Sequence, residues 1–99
     1  MPNANYLKGR RLEYKAKKQL ELEGWKVLRS AGSHGAFDLS AFRKDLPAYV
    51  IQVKSTDGGM PKVAALIKGF RKNPPWEVCK YYTQAIWVWD GKRWHWGLV

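Results

Sequence analysis

The chain has 99 residues, 45% of them hydrophobic, enough for one modest core and too apolar for an intrinsically disordered polymer. A formal net charge of +10 makes polyanions the default partners, and the spread of basic residues along the whole chain argues against a membrane-surface helix. One cysteine, Cys79, and two distant histidines exclude an intrachain disulfide and a zinc module, and no apolar run reaches signal-peptide or membrane-spanning length. The expectation is a protein that works in a reducing, intracellular compartment with no membrane partner.

Residues Asn5 to Glu23 read as a helix, because Leu12, Ala16 and Leu20 recur every fourth residue and Gly24 supplies a stop. Glu13 lies at the edge of that apolar stripe, seven residues before Leu20, on a helix otherwise crowded with Arg10, Arg11, Lys15, Lys17 and Lys18. Trp25 to Ser30 reads as a first strand, Ala31 to Gly35 as a Gly/Ser loop, and Ala36 to Phe42 as a second strand. After a turn over Arg43 to Pro47, Ala48 to Ser55 is the most apolar strand and is expected at the centre of the sheet. Pro61 fits the first position of a second helix that runs to Lys72, with Val63, Leu66, Ile67 and Phe70 on its apolar face and Asn73-Pro74-Pro75 ending it. Thr83 to Trp89 and Arg93 to Leu98 then pair as a hairpin across Asp90-Gly91. The expected fold is a single α/β domain over residues 1–99, a mixed five-stranded sheet flanked by two helices in the order α-β-β-β-α-β-β.

The polar residues inside the apolar runs carry the chemistry. Alternation along Ala36 to Phe42 would turn Phe37, Leu39 and Ala41 into the core and Asp38 and Ser40 the other way, either to solvent or to a site. Along Ala48 to Ser55, Gln52 and Lys54 share a face with apolar Val50, so the run reads as a buried strand with two polar side chains on one side. A buried lysine calls for an acidic partner, and Asp38 on a neighbouring strand supplies one. Together a carboxylate, an amide oxygen and an ammonium can hold a divalent metal and orient a water. Glu13 either bridges to Arg10 and Lys17 along its own helix or turns to the sheet and joins Asp38. Arg29, Ser30 and Ser33, with Gly32 and Gly35 allowing close backbone approach, suit a phosphate, while each serine alone also suits a turn. His34 is a loop histidine that could contact phosphate or serve as a base.

These residues resemble a known family. Gly9-Arg10-Arg11-Leu12-Glu13, Val27 to Ser33, Phe37-Asp38-Leu39-Ser40-Ala41 and Tyr49 to Ser55 are similar, in that order, to archaeal-type Holliday junction resolvases of the PD-(D/E)XK nuclease superfamily. Lys92-Arg93-Trp94-His95-Trp96 also resembles that family's last strand. The resemblance implies a restriction-endonuclease-like core, Mg²⁺-dependent phosphodiester hydrolysis in which Mn²⁺ substitutes, and a homodimer that places paired nicks across a four-way DNA junction. It implies Asp38, Gln52 and Glu13 as metal ligands, Lys54 as the motif lysine, and Ser30 beside the scissile phosphate. Arg10, Arg11, Arg29, Ser33, His34, Lys62 and Lys68 are the expected DNA contacts. Two residues depart from the pattern: Gln52 stands where the family usually has glutamate, and Tyr14 where it often has arginine, a role that Arg10 or Arg11 could take over.

The expected function is therefore a junction-resolving endonuclease from a virus or a prokaryote. The alternatives are a nuclease of the same superfamily that cuts other DNA structures, and a non-catalytic DNA-binding module with the same fold. Two symmetric nicks need two sites, so a C2 dimer is expected, with Phe70, Trp76, Trp87, Trp89, Trp94 and Trp96 as candidates for its patch.

Overall fold

The computed structural model of the chain describes the backbone of residues 4–30 and 36–99, with side chains from residue 9 onward. Its elements are α1 (Ala4–Leu22), β1 (Lys26–Arg29), β2 (Leu39–Phe42), β3 (Ala48–Ser55), α2 (Gly59–Lys72), β4 (Tyr82–Trp89) and β5 (Trp94–Leu98). This is the expected order. Among the described residues no helix is long and apolar enough to cross a membrane.

Gly24 ends α1 as the sequence predicts. It adopts φ 95°, its N–H reaches the carbonyl of Glu21 at 3.1 Å, and the N–H of Trp25 reaches that of Leu20 at 3.1 Å. That crossed pair of bonds is a Schellman motif, and it turns Trp25 back onto Leu20 in the core. Chain reversal after α1 therefore leads directly into β1.

The sheet has the order β1-β2-β3-β4-β5, with β3 in the centre as expected. β1, β2 and β3 form an antiparallel meander, β3 and β4 run parallel with α2 as the crossover, and β5 returns antiparallel to β4. Alternation along β3 then sorts the core. Ile51 joins Ala16 and Leu20 of α1 together with Val27, Leu39, Ala41, Ala85 and Trp87, and Tyr49 and Val53 pack against this cluster. Val50 faces the other way, toward Val63 and Phe70 of α2, with Phe37, Ile86 and Val88. α2 approaches β5 closely because Gly97 has no side chain; a Cβ there would lie 2.5 Å from Ile67 Cγ2.

Three local expectations need correction. β2 starts at Leu39, not Ala36, and Phe37 packs on the α2 side while Leu39 packs on the α1 side. The strand alternation breaks at Asp38, whose N–H still bonds the Ile51 carbonyl at 2.9 Å but whose carboxylate, not its backbone, takes the next N–H of β3. Secondly, α2 begins at Gly59, so Pro61 is its third residue, where a missing N–H is equally harmless. Thirdly, Phe70 is only 6% exposed and Trp87 only 8%, so both belong to the chain's own core and not to a dimer patch. The hairpin register pairs Trp87 with Trp96 and Trp89 with Trp94, which puts all four tryptophans on the α1 face. Of the remaining candidates, Trp89 and Trp94 are half-buried, Trp76 is exposed, and Trp96 is 60% exposed.

The turn of that hairpin is built by Asp90. Its Oδ1 accepts the N–H groups of Lys92 at 2.7 Å and Arg93 at 2.8 Å, and its Oδ2 lies 2.8 Å from His95 Nε2. His95 and these two backbone donors hold the Asp90 carboxyl well below the usual carboxylate range.

Gln84 of β4 is a polar residue that sequence reading passed over. It is 1% exposed, yet fully used: its Oε1 accepts the Trp76 N–H at 2.9 Å and its Nε2 donates to the Trp76 carbonyl at 3.1 Å. This clamp fixes the segment after α2 and lays the Trp76 ring edge-on to Phe37 at 4.7 Å and to Tyr82 at 5.4 Å. Replacing Gln84 with leucine leaves both Trp76 backbone groups without their partner, so Gln84→Leu is expected to destabilise the chain by about 1–3 kcal/mol in denaturant unfolding. An unchanged midpoint would mean that the clamp contributes nothing to stability.

Candidate active site

The site lies where β2 stops and β3 continues. β2 pairs with β3 only from Tyr49 to Ile51, whereas β3 pairs with β4 through Ser55, so Gln52 to Ser55 extend past the end of β2. Asp38 sits at this opening, and its Oδ2 accepts the Val53 N–H at 2.8 Å. A strand N–H that lost its ladder partner is thereby satisfied, and the carboxylate is held in one place by backbone.

Glu13 comes to the same opening from α1. It does not bridge along its helix to Arg10 or Lys17: its Oε1 accepts Arg29 Nε of β1 at 2.9 Å, and Lys17 instead pairs with Glu21. Burial and the nearby Asp38 charge push the Glu13 carboxyl up, and Arg29 only partly offsets them. Two carboxylates thus repel one another at one end of the sheet, with one arginine between α1 and β1 to moderate the charge.

Gln52 points to the α2 side, as the strand period predicts, and its Nε2 donates to the Ala36 carbonyl at 3.3 Å. That contact uses the nitrogen and leaves the amide oxygen as an acceptor. Lys54 is exposed rather than buried, at a point of β3 that β2 no longer flanks; among the described residues it forms no ion pair. Ser30 is also exposed, and its N–H bonds the Asp38 carbonyl at 2.9 Å, so it lies directly beside the site. Ser33 and His34 lie outside the described residues.

Around Glu13 the helix presents Arg10 and Arg11, both exposed, and Tyr14. The guanidinium carbons of Arg10 and Arg29 lie 5.8 Å and 5.1 Å from the Tyr14 ring centroid. Arg10 first, and then Arg29 and Lys17, draw the Tyr14 phenol below its usual value. Lys62 stands in the first turn of α2, just after the loop that leaves β3. Lys68 is six residues further, about 9 Å along the helix axis, and is not gathered into the site.

Among the described residues no group of three His, Cys, Asp or Glu side chains could hold a metal. Asp38 and Glu13 are the two carboxylates at this end, while Gln52, the third expected ligand, lies on the α2 side, and among the described residues no contact joins its amide oxygen to either carboxylate. Hard oxygen donors and two mutually repelling negative charges suit a divalent cation such as Mg²⁺ or Mn²⁺, and among the described residues no soft ligand joins them to favour zinc.

The sequence profile of the archaeal Holliday junction resolvase family (Hjc) matches residues 4–65, which carry Glu13, Asp38, Gln52 and Lys54. The chain belongs to that family. It is therefore a resolvase-type nuclease, and the expectation drawn from its motifs holds. The solved structure of Archaeoglobus fulgidus Hjc, a Holliday junction resolvase from an archaeal hyperthermophile, superposes with a TM-score of 0.60 over 91% of this chain and 71% of that one, at 19% identity. At that identity the likeness speaks for the fold. No curated protein sequence matches the chain.

The chain carries the Glu13 carboxylate at some cost to the fold. A carboxyl whose folded value is raised favours folding below its unfolded value near 4.5, and this contribution is lost as pH rises through the folded value. In the metal-free protein, Asp38→Asn is expected to lower the Glu13 titration midpoint and Arg29→Leu to raise it, followed by carboxyl carbon NMR. Shifts of the opposite sign, or none, would show that the three groups do not interact.

Proposed function

We propose that this resolvase cuts four-way DNA junctions by metal-dependent hydrolysis, with Asp38, Glu13 and Gln52 holding Mg²⁺, for which Mn²⁺ substitutes. The observation that carries the reading is the meeting of Asp38 and Glu13 at the open end of the sheet, beside Arg29, on a chain of net charge +10. When bound there, a divalent cation supplies an activated water and neutralises charge that develops on the phosphate. Asp38 needs no reorganisation to serve, since the Val53 N–H already fixes it. Lys54, free at the end of β3, orients the attacking water or offsets the phosphate charge. Ser30 and Arg29 sit beside the scissile phosphate; Arg10, Arg11 and Lys62 track the neighbouring backbone, and Ser33, His34 and Lys68 extend the contact surface.

Gln52 is the residue that favours a second reading, a DNA-binding module without cleavage, since it brings one charge fewer to the site. Four-way, flap and plain duplex substrates of equal length, each with Mg²⁺ or Mn²⁺, decide between the readings. Wild type is expected to cut the junction fastest, and Asp38→Asn and Lys54→Ala are expected to lose about 10²-fold or more. Equal rates on all substrates would point to a general nuclease, and a wild type as inert as both variants would leave only the binder.

The Gln52 amide also makes a contact that a carboxylate cannot, its donation to the Ala36 carbonyl. Gln52→Glu is expected to lower the thermal midpoint without metal, to enlarge the upward shift on adding Mg²⁺, and to retain cleavage at low Mg²⁺. A smaller Mg²⁺ shift than wild type would remove Gln52 from the ligand set.

Paired nicks require a second site, which a C2 dimer provides. Support for it comes from the α1 face of β4 and β5, where Trp96 is 60% exposed beside Trp94. Sedimentation at micromolar concentration is expected to give a dimer for wild type and a folded monomer for Trp96→Asp. A monomeric wild type that nicks one strand without its symmetric mate would overturn the paired mechanism.

A further inference from the structure

Among the described residues Gln84 is the buried polar side chain, and both of its hydrogen bonds serve a residue whose own ring is not buried. Its amide accepts the Trp76 N–H at 2.9 Å and donates to the Trp76 carbonyl at 3.1 Å, yet Trp76 stays 44% exposed. A clamp that only stabilised the core would fix a ring that fills it. Here the ring is braced from two sides, nearly perpendicular to Phe37 at 4.7 Å and to Tyr82 at 5.4 Å, and the rest of its surface is left to solvent. The result is an aromatic surface held in one place and open to a partner.

Its position ties it to the site. Phe37 is the residue before Asp38, and the Ala36 carbonyl accepts Gln52 Nε2. Phe37 packs with Ile86 and Val88 of β4 on the α2 side, and strand alternation puts Gln84 on that side too. Trp76 therefore lies on the face opposite the tryptophans of β4 and β5, away from the strip that the dimer reading uses. The segment around the ring is basic: Arg71, Lys72 and Lys80 are exposed, with Glu77 as their counter-charge. That balance suits a polyanion and disfavours a second, like-charged copy of this chain.

We propose that Trp76 recognises the branch point of the DNA, its ring stacking on a base that the junction leaves without a stacking neighbour while Asp38 and Glu13 serve the phosphodiester nearby. The assignment rests on the nuclease reading of the site and makes Trp76 a specificity residue for it. Every base has a π-face, so a stacking ring reads the absence of a neighbouring base pair and not a sequence. In a continuous duplex both faces of each base are covered, and the ring would have to wedge a step apart, which is unfavourable. The ring then adds affinity for a branched substrate and none for a duplex.

The measurement is binding of the metal-free protein to a four-way junction and to an equal-length duplex, so cleavage plays no part. Trp76→Ala is expected to weaken junction binding about 10-fold, within what removal of a base-stacking ring takes away. It removes no charge, so duplex affinity and the slope of log affinity against log salt are expected to stay at the wild-type values. Trp76→Phe, which keeps a ring, is expected to retain most of the junction affinity. A junction with abasic sites at its branch point keeps every phosphate, and on it wild type and Trp76→Ala are expected to bind alike. The Gln84 clamp holds backbone and needs no indole; where the alanine variant still fails to fold, Trp76→Leu takes its place. An unchanged junction affinity, an equal loss on junction and duplex, or a loss that persists on the abasic junction would overturn the stacking role while leaving the nuclease reading intact. So would a dimer that Trp76→Ala turns into a monomer with its junction preference unchanged, which would assign the ring to a second copy. Failure of the wild type to bind either DNA would overturn the nuclease reading itself, and the stacking role with it.

Discussion

One hydrogen bond organises the site end of this fold: the Val53 N–H donated to Asp38 Oδ2 at 2.8 Å. It replaces a backbone–backbone bond with a backbone–carboxylate bond at the point where β2 ends. Because the ladder is interrupted there, Phe37 and Leu39 leave Asp38 toward opposite faces, one into each core cluster. The interruption also frees the last residues of β3 from a neighbour on the β2 side, so that Gln52 and Lys54 border an opening and not a sheet interior. The carboxylate is held by the same strand that carries the other motif residues, which keeps their spacing fixed to within the rigidity of a central strand.

Charge around that opening is arranged in alternation. Asp38 and Glu13 oppose one another; Arg29 answers Glu13; Tyr14 lies against Arg29 and Arg10. Arg29 is attracted both to Glu13 and to the Tyr14 ring, and the approach of Asp38 to Glu13 is the unfavourable one. The end with two carboxylates is where a phosphodiesterase wants a cation. Structural ion pairs are built to cancel; here one arginine stands against two carboxylates, which is what sets the group apart from a stability device.

Much of this was legible in the sequence, for identifiable reasons. Element order followed from apolar period, from Gly24 and from the Asp-Gly turn, each a local signal with a local cause. The place of Glu13 at the edge of the Leu12, Ala16, Leu20 stripe allows both its own helix and the sheet, and the bond from Arg29 of β1 selects the sheet. What escaped was non-local. The break at Asp38 was invisible because strand alternation was continued through it, although a carboxylate that ends a ladder looks the same in sequence as one that merely faces solvent. The apolar run around Lys54 predicts burial, and its exposure follows from how far β3 outruns β2, which is a property of the packed sheet. Gln84 carried a readable signal, a glutamine in the otherwise apolar run before Trp87, but its partner is the backbone of Trp76, which no side-chain pattern reveals. The four tryptophans had to share a face once the four residues Asp90 to Arg93 set Trp89 opposite Trp94, since directly opposed residues of a hairpin point the same way.

The position of those tryptophans bears on how a chain this small could act on two strands. α1 crosses β1 to β3 and leaves the same face of β4 and β5 to Trp87, Trp89, Trp94 and Trp96. Beside α1 this leaves an open cleft of about 520 Å³, which includes Trp25, Tyr49, Trp94 and Trp96 in its lining. The strip is continuous with the catalytic end. Ser55 of β3 is opposite Trp89 of β4, and Lys15 of α1 lies 3.6 Å from the centroid of the Trp89 ring. An apolar surface that starts beside the site and runs along the hairpin is rigidly tied to it by the β3–β4 pairing. On the dimer reading, a second copy seated on this strip would fix the separation of the two sites through strand geometry alone, with no flexible segment between the contact and the chemistry. The separation of symmetric scissile phosphates is a property of the junction and not of the protein, so a rigid link of this kind is the one a paired cut requires.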